Sequence, residues 1–239
     1  MTALRLGMLT PSSNTVLEPA TAAMLRDTPE ITAHFARFRV TAIDLGDGAL
    51  AQFDHAPILA AAELLADAKV HAICWNGTSG GWRGFGADRA LCDAITERTG
   101  IPATTATLAL ADALRILGTR RLGLVTPYLV DVQRAITATF GREGFPVAAE
   151  RHLDDPGNFS FAAHTPETVA AMIRAVAAEG ADAAAVFCTN FRGAAVAAAL
   201  EAEAGIPVLD SVALALWGAI RTAAGDPSRI RGWGRLFGI

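Results

Sequence analysis

The stretch RLGMLTP at residues 5–11 returns as RLGLVTP at residues 121–127. A second matching pair, GIP at residues 100–102 and again at 205–207, follows in the same order. In each copy the first segment reads as a buried strand, and the second leads into a long apolar helix. Internal similarity of this kind predicts that the chain consists of two related halves.

The two predicted halves, residues 1–118 and 119–239, each alternate short apolar runs with helical patterns, and the second ends in a C-terminal tail. Such alternation is typical of right-handed βαβ units, in which helices cover both faces of a parallel sheet. We therefore predict an α/β fold of two pseudo-symmetric halves, each with a four-stranded parallel sheet. Because ligands of these sheets bind beyond the carboxyl ends of the strands, we expect the site in the cleft between the halves. The predicted strands are 4–9, 31–40, 70–75, 101–104, 121–125, 147–153, 183–187 and 206–209, and the predicted helices are 15–26, 57–68, 87–98, 107–117, 129–143, 166–179, 193–203 and 211–223.

Composition excludes several classes of protein. The chain has 239 residues, is 52% hydrophobic and 18% charged, and carries a net charge of -4. This composition indicates a large core, and it provides no basic field for nucleic acid or an anionic membrane. No apolar run is long enough to span a bilayer, and residues 1–10 read as a first strand rather than a signal peptide. Three widely spaced cysteines favour the reducing cytoplasm over a disulfide framework.

Four short polar loops follow predicted strands at equivalent places and precede helices, at residues 10–15, 76–80, 126–128 and 188–193. The free N–H groups of a helix start bind anions without any lysine or arginine. Four such loops around one cleft predict a small carboxylate or dicarboxylate ligand. The alternative is that their polar residues only cap helices, as Asn14 is placed to do. The polar side chains in question are Ser12, Ser13, Asn14, Thr78 and Ser79.

Cys188 is the candidate reactive residue, because it lies just past a strand and just before a helix. We expect its thiol to be accessible and easily ionised by the helix N-terminus. The alternative is a buried cysteine that only fills space, which is our interpretation of Cys74 and Cys92. Tyr128, the only tyrosine, is placed to donate a hydrogen bond to a carboxylate, unless it is an ordinary surface aromatic.

Three other kinds of site are disfavoured. GTSGG at residues 77–81 satisfies the hydrolase pattern G-x-S-x-G, but no histidine follows His164 and residues 80–86 read as an extended loop. The same glycine-rich stretch lacks both G-x-G-x-x-G and a terminal G-K-[ST], which disfavours a nucleotide. The histidines are scattered without metal-ligand spacing.

The motifs around these loops resemble the aspartate/glutamate racemase superfamily, in particular the branch of arylmalonate decarboxylase and maleate cis-trans isomerase. The resemblance covers essentially the whole chain. It rests on LTPSSNT at residues 9–15, VTPY at 125–128 with Asp131-Val132, CTN at 188–190, and GWGRLF at 232–237. It implies two α/β halves and a site that uses no cofactor.

The resemblance also implies roles for particular residues. Most members place two cysteines on opposite sides of the cleft. Where isomerases and racemases have the first cysteine, this chain has Gly77, and the decarboxylase has a glycine there too. Cys188 is then the catalytic residue. The implied substrate-binding residues are Asn14, Ser13, Gly77, Thr78, Ser79, Tyr128, Thr189 and Asn190.

One thiol can protonate a carbanion from one face only, whereas racemisation needs groups on both faces. We therefore expect a cofactor-independent decarboxylase of a malonate-type acid, whose enediolate intermediate is protonated by Cys188. The alternatives are a maleate cis-trans isomerase or an Asp/Glu/hydantoin-type racemase-like enzyme, and a noncatalytic carboxylate-binding protein, which an inert Cys188 would favour. We expect no metal, nucleic acid or membrane partner, and the sequence leaves the oligomeric state open, a homo-oligomer included.

Overall fold

A computed structural model describes residues 3–46, 48 and 51–239. Within them lie two four-stranded parallel sheets, with strand orders β2-β1-β3-β4 and β6-β5-β7-β8. The strands are β1 Leu4–Pro11, β2 Ile31–Phe38, β3 Ala72–Trp75, β4 Ala103–Thr105, β5 Leu122–Thr126, β6 Val147–His152, β7 Ala183–Val186 and β8 Val208–Asp210. The predicted α/β fold with two parallel four-stranded sheets is confirmed. The strand order of the second sheet repeats that of the first, with each strand number raised by four.

Helices cover both sheets. They are α1 Leu17–Met24, α2 His55–Asp67, α3 Gly80–Arg83, α4 Phe85–Thr99, α5 Ala106–Leu117, α6 Val130–Arg142, α7 Pro166–Ala178, α8 Ala194–Ala204 and α9 Ser211–Thr222. Side chains cap three of them: Thr105 caps α5, Thr165 caps α7 and Asp210 caps α9. Every predicted helix and strand is present, with ends that differ from the prediction by at most two residues.

The glycine of the repeated segment has the same packing role in both halves. A Cβ at Gly7 would lie 3.0 Å from Val70, and one at Gly123 would lie 2.8 Å from Val176. Both glycines sit on the first strand of their sheet, where the covering layer comes close to the backbone. The sequence repeat therefore reflects repeated packing between the central strand and the helical layer.

The stretch after Ser79 differs from the prediction of an extended loop. Gly80–Arg83 form one helical turn, closed by the Arg83 N–H donating to the carbonyl of Ser79 at 2.9 Å. Gly84, with φ of 96°, ends that turn, and α4 begins directly after it. A strand-to-helix turn is thus present after Ser79, so the case against a hydrolase rests on the lack of a late histidine.

The last helix, α9, crosses back to the first half. It packs on α5 and on strands β3 and β4, and Gly218 of α9 allows this approach because a Cβ there would lie 2.7 Å from that of Ala109.

The division into residues 1–118 and 119–239 stays a prediction. Within the described ranges no helix combines the length and apolar character that a bilayer crossing needs, and no cluster of metal-ligating side chains occurs.

Candidate active site

A small cavity lies at the carboxyl ends of both sheets, where loops of the two halves meet. It is lined by Pro11, Asn14, Val40, Ile43, Phe53, Trp75, Gly77, Thr78, Ser79, Trp82, Tyr128, Asn158, Cys188, Thr189 and Asn190. Its free volume is about 20 Å³, space for roughly one water molecule. A ligand of the size of a diacid therefore needs lining side chains to move apart.

Eight of the nine residues predicted for the site line this cavity, and Ser13 does not. The Ser13 hydroxyl instead donates to the carbonyl of Val40 at 2.8 Å and accepts from Asn158 at 2.8 Å. Ser13 therefore holds the loops around the cavity rather than facing it. The roles predicted for the other eight, in catalysis or substrate binding, stay predictions.

Asn14 joins a helix start to the opposite half. Its Oδ1 accepts the backbone N–H of Val16 at 3.0 Å and of Leu17 at 2.9 Å, so it satisfies donors at the start of α1, although the N-cap position itself is Val16 and not Asn14 as predicted. Its Nδ2 donates to Thr189 Oγ1 at 3.1 Å. A structural role and a role in the site therefore do not exclude each other, because one side chain lines the cavity and also accepts N–H groups at the helix start.

Further hydrogen bonds cross the cleft and fix the amides that line it. Thr189 Oγ1 donates to the carbonyl of Asn76 at 3.0 Å, and the Thr15 N–H donates to Asn190 Oδ1 at 3.0 Å. Asn190 Nδ2 in turn donates to the carbonyl of Asn158 at 2.7 Å. Buried amides with both ends engaged have one orientation, so these bonds rigidify the second-half wall of the cavity.

The sequence analysis missed Asn158 and the apolar wall. Asn158 lies in the loop after β6 and is buried. It lies six residues past the end of β6 in a long connection to α7, so a criterion of short polar loops directly after strands does not identify it. The apolar residues Val40, Ile43 and Phe53 carried no signal either, because nothing in their local sequence distinguishes them from core residues.

Tyr128 lies between the loops that carry Thr78 and Cys188. Its phenol is 2% exposed, so it is no surface aromatic, and it lies 2.6 Å from Thr78 Oγ1. Burial raises the pKa of Tyr128 well above its usual value, and its neighbour Cys188 raises it further. The phenol therefore keeps its proton at neutral pH and remains a hydrogen-bond donor.

Cys188 differs from the prediction in two respects. It is 4% exposed rather than accessible, and burial raises the pKa of its thiol to about 12, against the lowering effects of Tyr128 and the Asn190 N–H. The prediction failed because burial of the thiol outweighs any effect of α8, whose start at Ala194 is one residue from its predicted position, and because Asp210 and Asp155 also oppose a thiolate. The thiol is thus neutral at physiological pH. Inertness to alkylation follows from this burial alone, so it no longer separates an enzyme from a binding protein.

Gly77 has no room for a side chain. A Cβ built on it would lie 2.1 Å from Trp75 Cζ2 and 2.2 Å from Trp75 Cε2. The indole of Trp75 therefore occupies the place that a side chain at residue 77 would need. The same indole donates from Nε1 to Ser79 Oγ at 3.4 Å, which leaves the hydroxyl proton of Ser79 free for another acceptor.

Aromatic rings cross the cleft beside these polar groups. Phe53 packs edge-on against Trp82 at 5.9 Å between ring centroids, Trp82 against Tyr128 at 5.6 Å, and Tyr128 against Phe161 at 5.5 Å. The buried Nε1 of Trp82 finds no hydrogen-bond partner among the described residues. The cavity thus has an aromatic side next to the cluster of hydroxyl groups and the thiol.

A buried carboxyl group packs against a glycine beside each of the loops that carry Thr78 and Cys188. A Cβ at Gly80 would lie 2.6 Å from the Asp88 carboxyl, and one at Gly193 would lie 2.6 Å from Asp210 Oδ2. Burial raises the pKa of Asp88 to about 6, although a hydrogen bond from Thr105 lowers it. Burial raises the pKa of Asp210 to about 7, against the lowering effect of four backbone N–H groups.

Comparison with known proteins gives two kinds of relative. Arylmalonate decarboxylase of Bordetella bronchiseptica is 33% identical over 158 residues, which cover 65% of this chain and 66% of the relative. Maleate isomerase of Pseudomonas putida is 28% identical over 217 residues, which cover 86% of each. A solved structure of a mutant of Nocardia farcinica maleate cis-trans isomerase, with a covalently bound succinylcysteine intermediate, superposes with a TM-score of 0.89 at 25% identity over 98% of both chains.

The comparisons agree with the branch that the motifs indicated. The family model for arylmalonate decarboxylase matches residues 14–237, nearly the whole chain. Decarboxylase and isomerase relatives are similarly close, so the match fixes the family and the fold but leaves open which of the two reactions applies. The chain is a member of the arylmalonate decarboxylase family.

Proposed function

We propose that this protein is a cofactor-independent decarboxylase of a malonate-type dicarboxylic acid, with Cys188 as the proton donor. The observation that carries the proposal is the single thiol at the cavity. Of the three cysteines, all within the described residues, only Cys188 lines it, and the position of residue 77 holds a glycine. A site with one thiol suits protonation from one face, not the two-sided exchange that racemisation requires.

The retained carboxylate binds among hydroxyl groups in this proposal. Thr78 and Tyr128 share a hydrogen bond of 2.6 Å, so one of the two protons remains for the substrate, and Ser79 supplies another. These neutral donors are already oriented and buried, which is the condition under which they stabilise developing negative charge most effectively. They therefore favour the enediolate over the starting carboxylate.

The departing carboxylate faces the apolar side of the cavity, formed by Val40, Ile43 and Phe53. Its bond to the α-carbon breaks, carbon dioxide leaves, and the electron pair of that bond passes into the enediolate. An apolar surrounding solvates a carboxylate poorly and a neutral carbon dioxide well, so it favours this step.

Proton transfer from Cys188 completes the reaction. A pKa of about 12 keeps the proton on sulfur in the free enzyme, as the step requires. The S–H bond breaks, the proton joins the α-carbon, and a thiolate remains that Tyr128 and the Asn190 N–H stabilise. Water then returns a proton to the thiolate, so protons and charge balance over the cycle.

The test is to incubate the protein in deuterated water with a 2,2-disubstituted malonate, maleate and several amino acids, and to follow each by NMR. We expect carbon dioxide release from the malonate and one deuterium at the α-carbon of a single enantiomer. Cys188→Ala should lower the rate at least about 100-fold, as loss of a positioned proton donor does. Cys92→Ala is the matched control, because Cys92 is also buried but does not line the cavity.

A second candidate is cis-trans isomerisation of a small dicarboxylate. It is favoured by the buried amides of Asn14 and Asn190 at the cavity, since each uses one N–H in a hydrogen bond to a described residue and has a second N–H for a carboxylate. Conversion of maleate to fumarate without loss of carbon dioxide would establish this reaction instead. Full decarboxylation by Cys188→Ala with unchanged enantiomeric excess would contradict the role of the thiol.

A further inference from the structure

Trp75 has a place in the site that no motif indicated. It ends strand β3, two residues before Gly77, and its side chain is 1% exposed. Side chains two positions apart on an extended segment point to the same side, so the indole lies on the side toward which a residue at 77 would project. The distance of 2.1 Å between Trp75 Cζ2 and a Cβ at residue 77 is far below van der Waals contact.

The indole cannot simply move aside. Its ring packs against Phe38 with 4.8 Å between centroids, and its N–H donates to Ser79 Oγ. Phe38 is itself buried in the core. Close-packed interiors do not absorb a displaced indole without strain elsewhere.

We infer that Trp75 is the specificity-determining residue that restricts this site to one-sided chemistry, because its indole fills the volume in which a second reactive side chain at residue 77 would have to lie. The inference rests on the proposed function for its chemical consequence. Its steric part, the exclusion of any side chain at residue 77 by Trp75, is independent of substrate and can be tested alone.

The experiment combines Gly77→Cys with Trp75→Leu in a double-mutant cycle on the full chain. Gly77→Cys alone should lower the unfolding temperature by about 5 °C or more, since overpacking a buried site strains it. In the Trp75→Leu background the same substitution should cost much less, because the indole that it would strike is gone. Such a coupling is what contacting residues show and distant residues do not.

The matched control replaces Trp217, another buried tryptophan, which lies on α9 and does not line the cavity. Trp217→Leu should destabilise the protein but leave the cost of Gly77→Cys unchanged. Additive effects of Trp75→Leu and Gly77→Cys would overturn the steric part, as would a Gly77→Cys protein that unfolds at the wild-type temperature.

The chemical readout is exchange of the α-proton of the decarboxylation product for deuterium. We expect none above background in the wild type or in Gly77→Cys, and measurable exchange in the double variant, in which both faces carry a thiol. Exchange in Gly77→Cys alone, or a folded double variant that decarboxylates without exchange, would overturn the specificity role. A wild type that decarboxylates no malonate would instead overturn the proposed function, while the unfolding cycle would still decide the steric part.

Discussion

The loops after β3 and β7 occupy equivalent positions in the two halves and carry different chemistry. The first passes within five residues from Trp75 to α3 and presents the hydroxyl groups of Thr78 and Ser79. The second runs from the end of β7 to Ala194 and presents the thiol of Cys188. A buried carboxyl packs behind a glycine in each, Asp88 in the first and Asp210 in the second.

The two halves therefore repeat the same strands and loops, but the side chains that these loops present to the cavity differ. Equivalent strands bring both loops to one cavity, and equivalent carboxyls and glycines support them. One loop can then stabilise charge while the other transfers a proton. A division of this kind fits a reaction in which charge develops at a carboxylate and is neutralised at the neighbouring carbon.

The largest effect is expected from Tyr128, which bridges the two loops. Tyr128→Phe removes the hydroxyl that contacts Thr78 but keeps the ring between Trp82 and Phe161. If the hydroxyl stabilises the enediolate, kcat should fall about 100- to 1000-fold, while the unfolding temperature should fall by only about 2–4 °C from the loss of one buried hydrogen bond. Steady-state kinetics on a 2-substituted malonate measure this.

Phe161→Leu is the control for the Tyr128 experiment, because it disturbs the same ring stack and removes no hydroxyl group. It should cost stability and leave kcat within a few-fold of the wild type. Equal losses of kcat in the two variants would mean that the ring, and not the hydroxyl, carries the effect.

The carboxyl behind the first loop makes stability depend on pH. Because the pKa of Asp88 is raised from 3.8 to about 6 in the folded protein, its contribution is fully present below pH 3.8 and is lost as the pH rises through about 6. Asp88→Asn keeps an oxygen for Thr105 and cannot ionise. The free energy of unfolding of this variant relative to wild type should therefore rise from pH 4 to pH 6 by up to about 3 kcal/mol and then level off.

Urea unfolding at several pH values measures the Asp88 effect, with Asp93→Asn as control because Asp93 lies exposed on the same helix, α4. A pH-independent difference between Asp88→Asn and wild type would contradict the buried, ionising carboxyl. The counterpart Asp210→Asn would change more than the charge. Backbone N–H groups of Gly193 and Ala194 donate to that carboxyl, and the new amide NH₂ would face these donors.

The glycines that face these carboxyls should tolerate no side chain. Gly80→Ala and Gly193→Ala would each bring a methyl group to 2.6 Å from a carboxyl group, and we expect each to cost about 1–3 kcal/mol of unfolding free energy. Gly141→Ala in α6 is the matched control, since a Cβ there meets nothing within 4 Å. Denaturant unfolding measures all three, and equal stability of Gly80→Ala and wild type would show that the loop relaxes freely.

The repeat at residues 5–11 and 121–127 was enough to predict the fold, because parallel α/β units have continuous apolar strands and few alternative arrangements. The loops that follow strands predicted most of the polar side of the cavity for the same reason. The ionisation of Cys188 was predicted wrongly, since the burial of its thiol and the position of Asp210 depend on packing between segments far apart in the sequence. Trp75 and Phe53 were missed because a buried aromatic in a strand or a loop looks the same in sequence whether it lines a cavity or the core.

The smallest effect concerns the hydrogen bond from Asn14, in the loop after β1, to Thr189, in the loop after β7. Asn14→Ala removes the acceptor of two N–H groups at the start of α1 and a bond across the cleft, and should cost about 1 kcal/mol from the helix start and about as much again from the buried bond. Asn14→Asp keeps the capping oxygen and loses only the amide that donates to Thr189, so it separates the two contributions. If both variants unfold like the wild type, the bond across the cleft does not hold the halves together, and the apposition of the two loops depends on α9 and the aromatic rings instead.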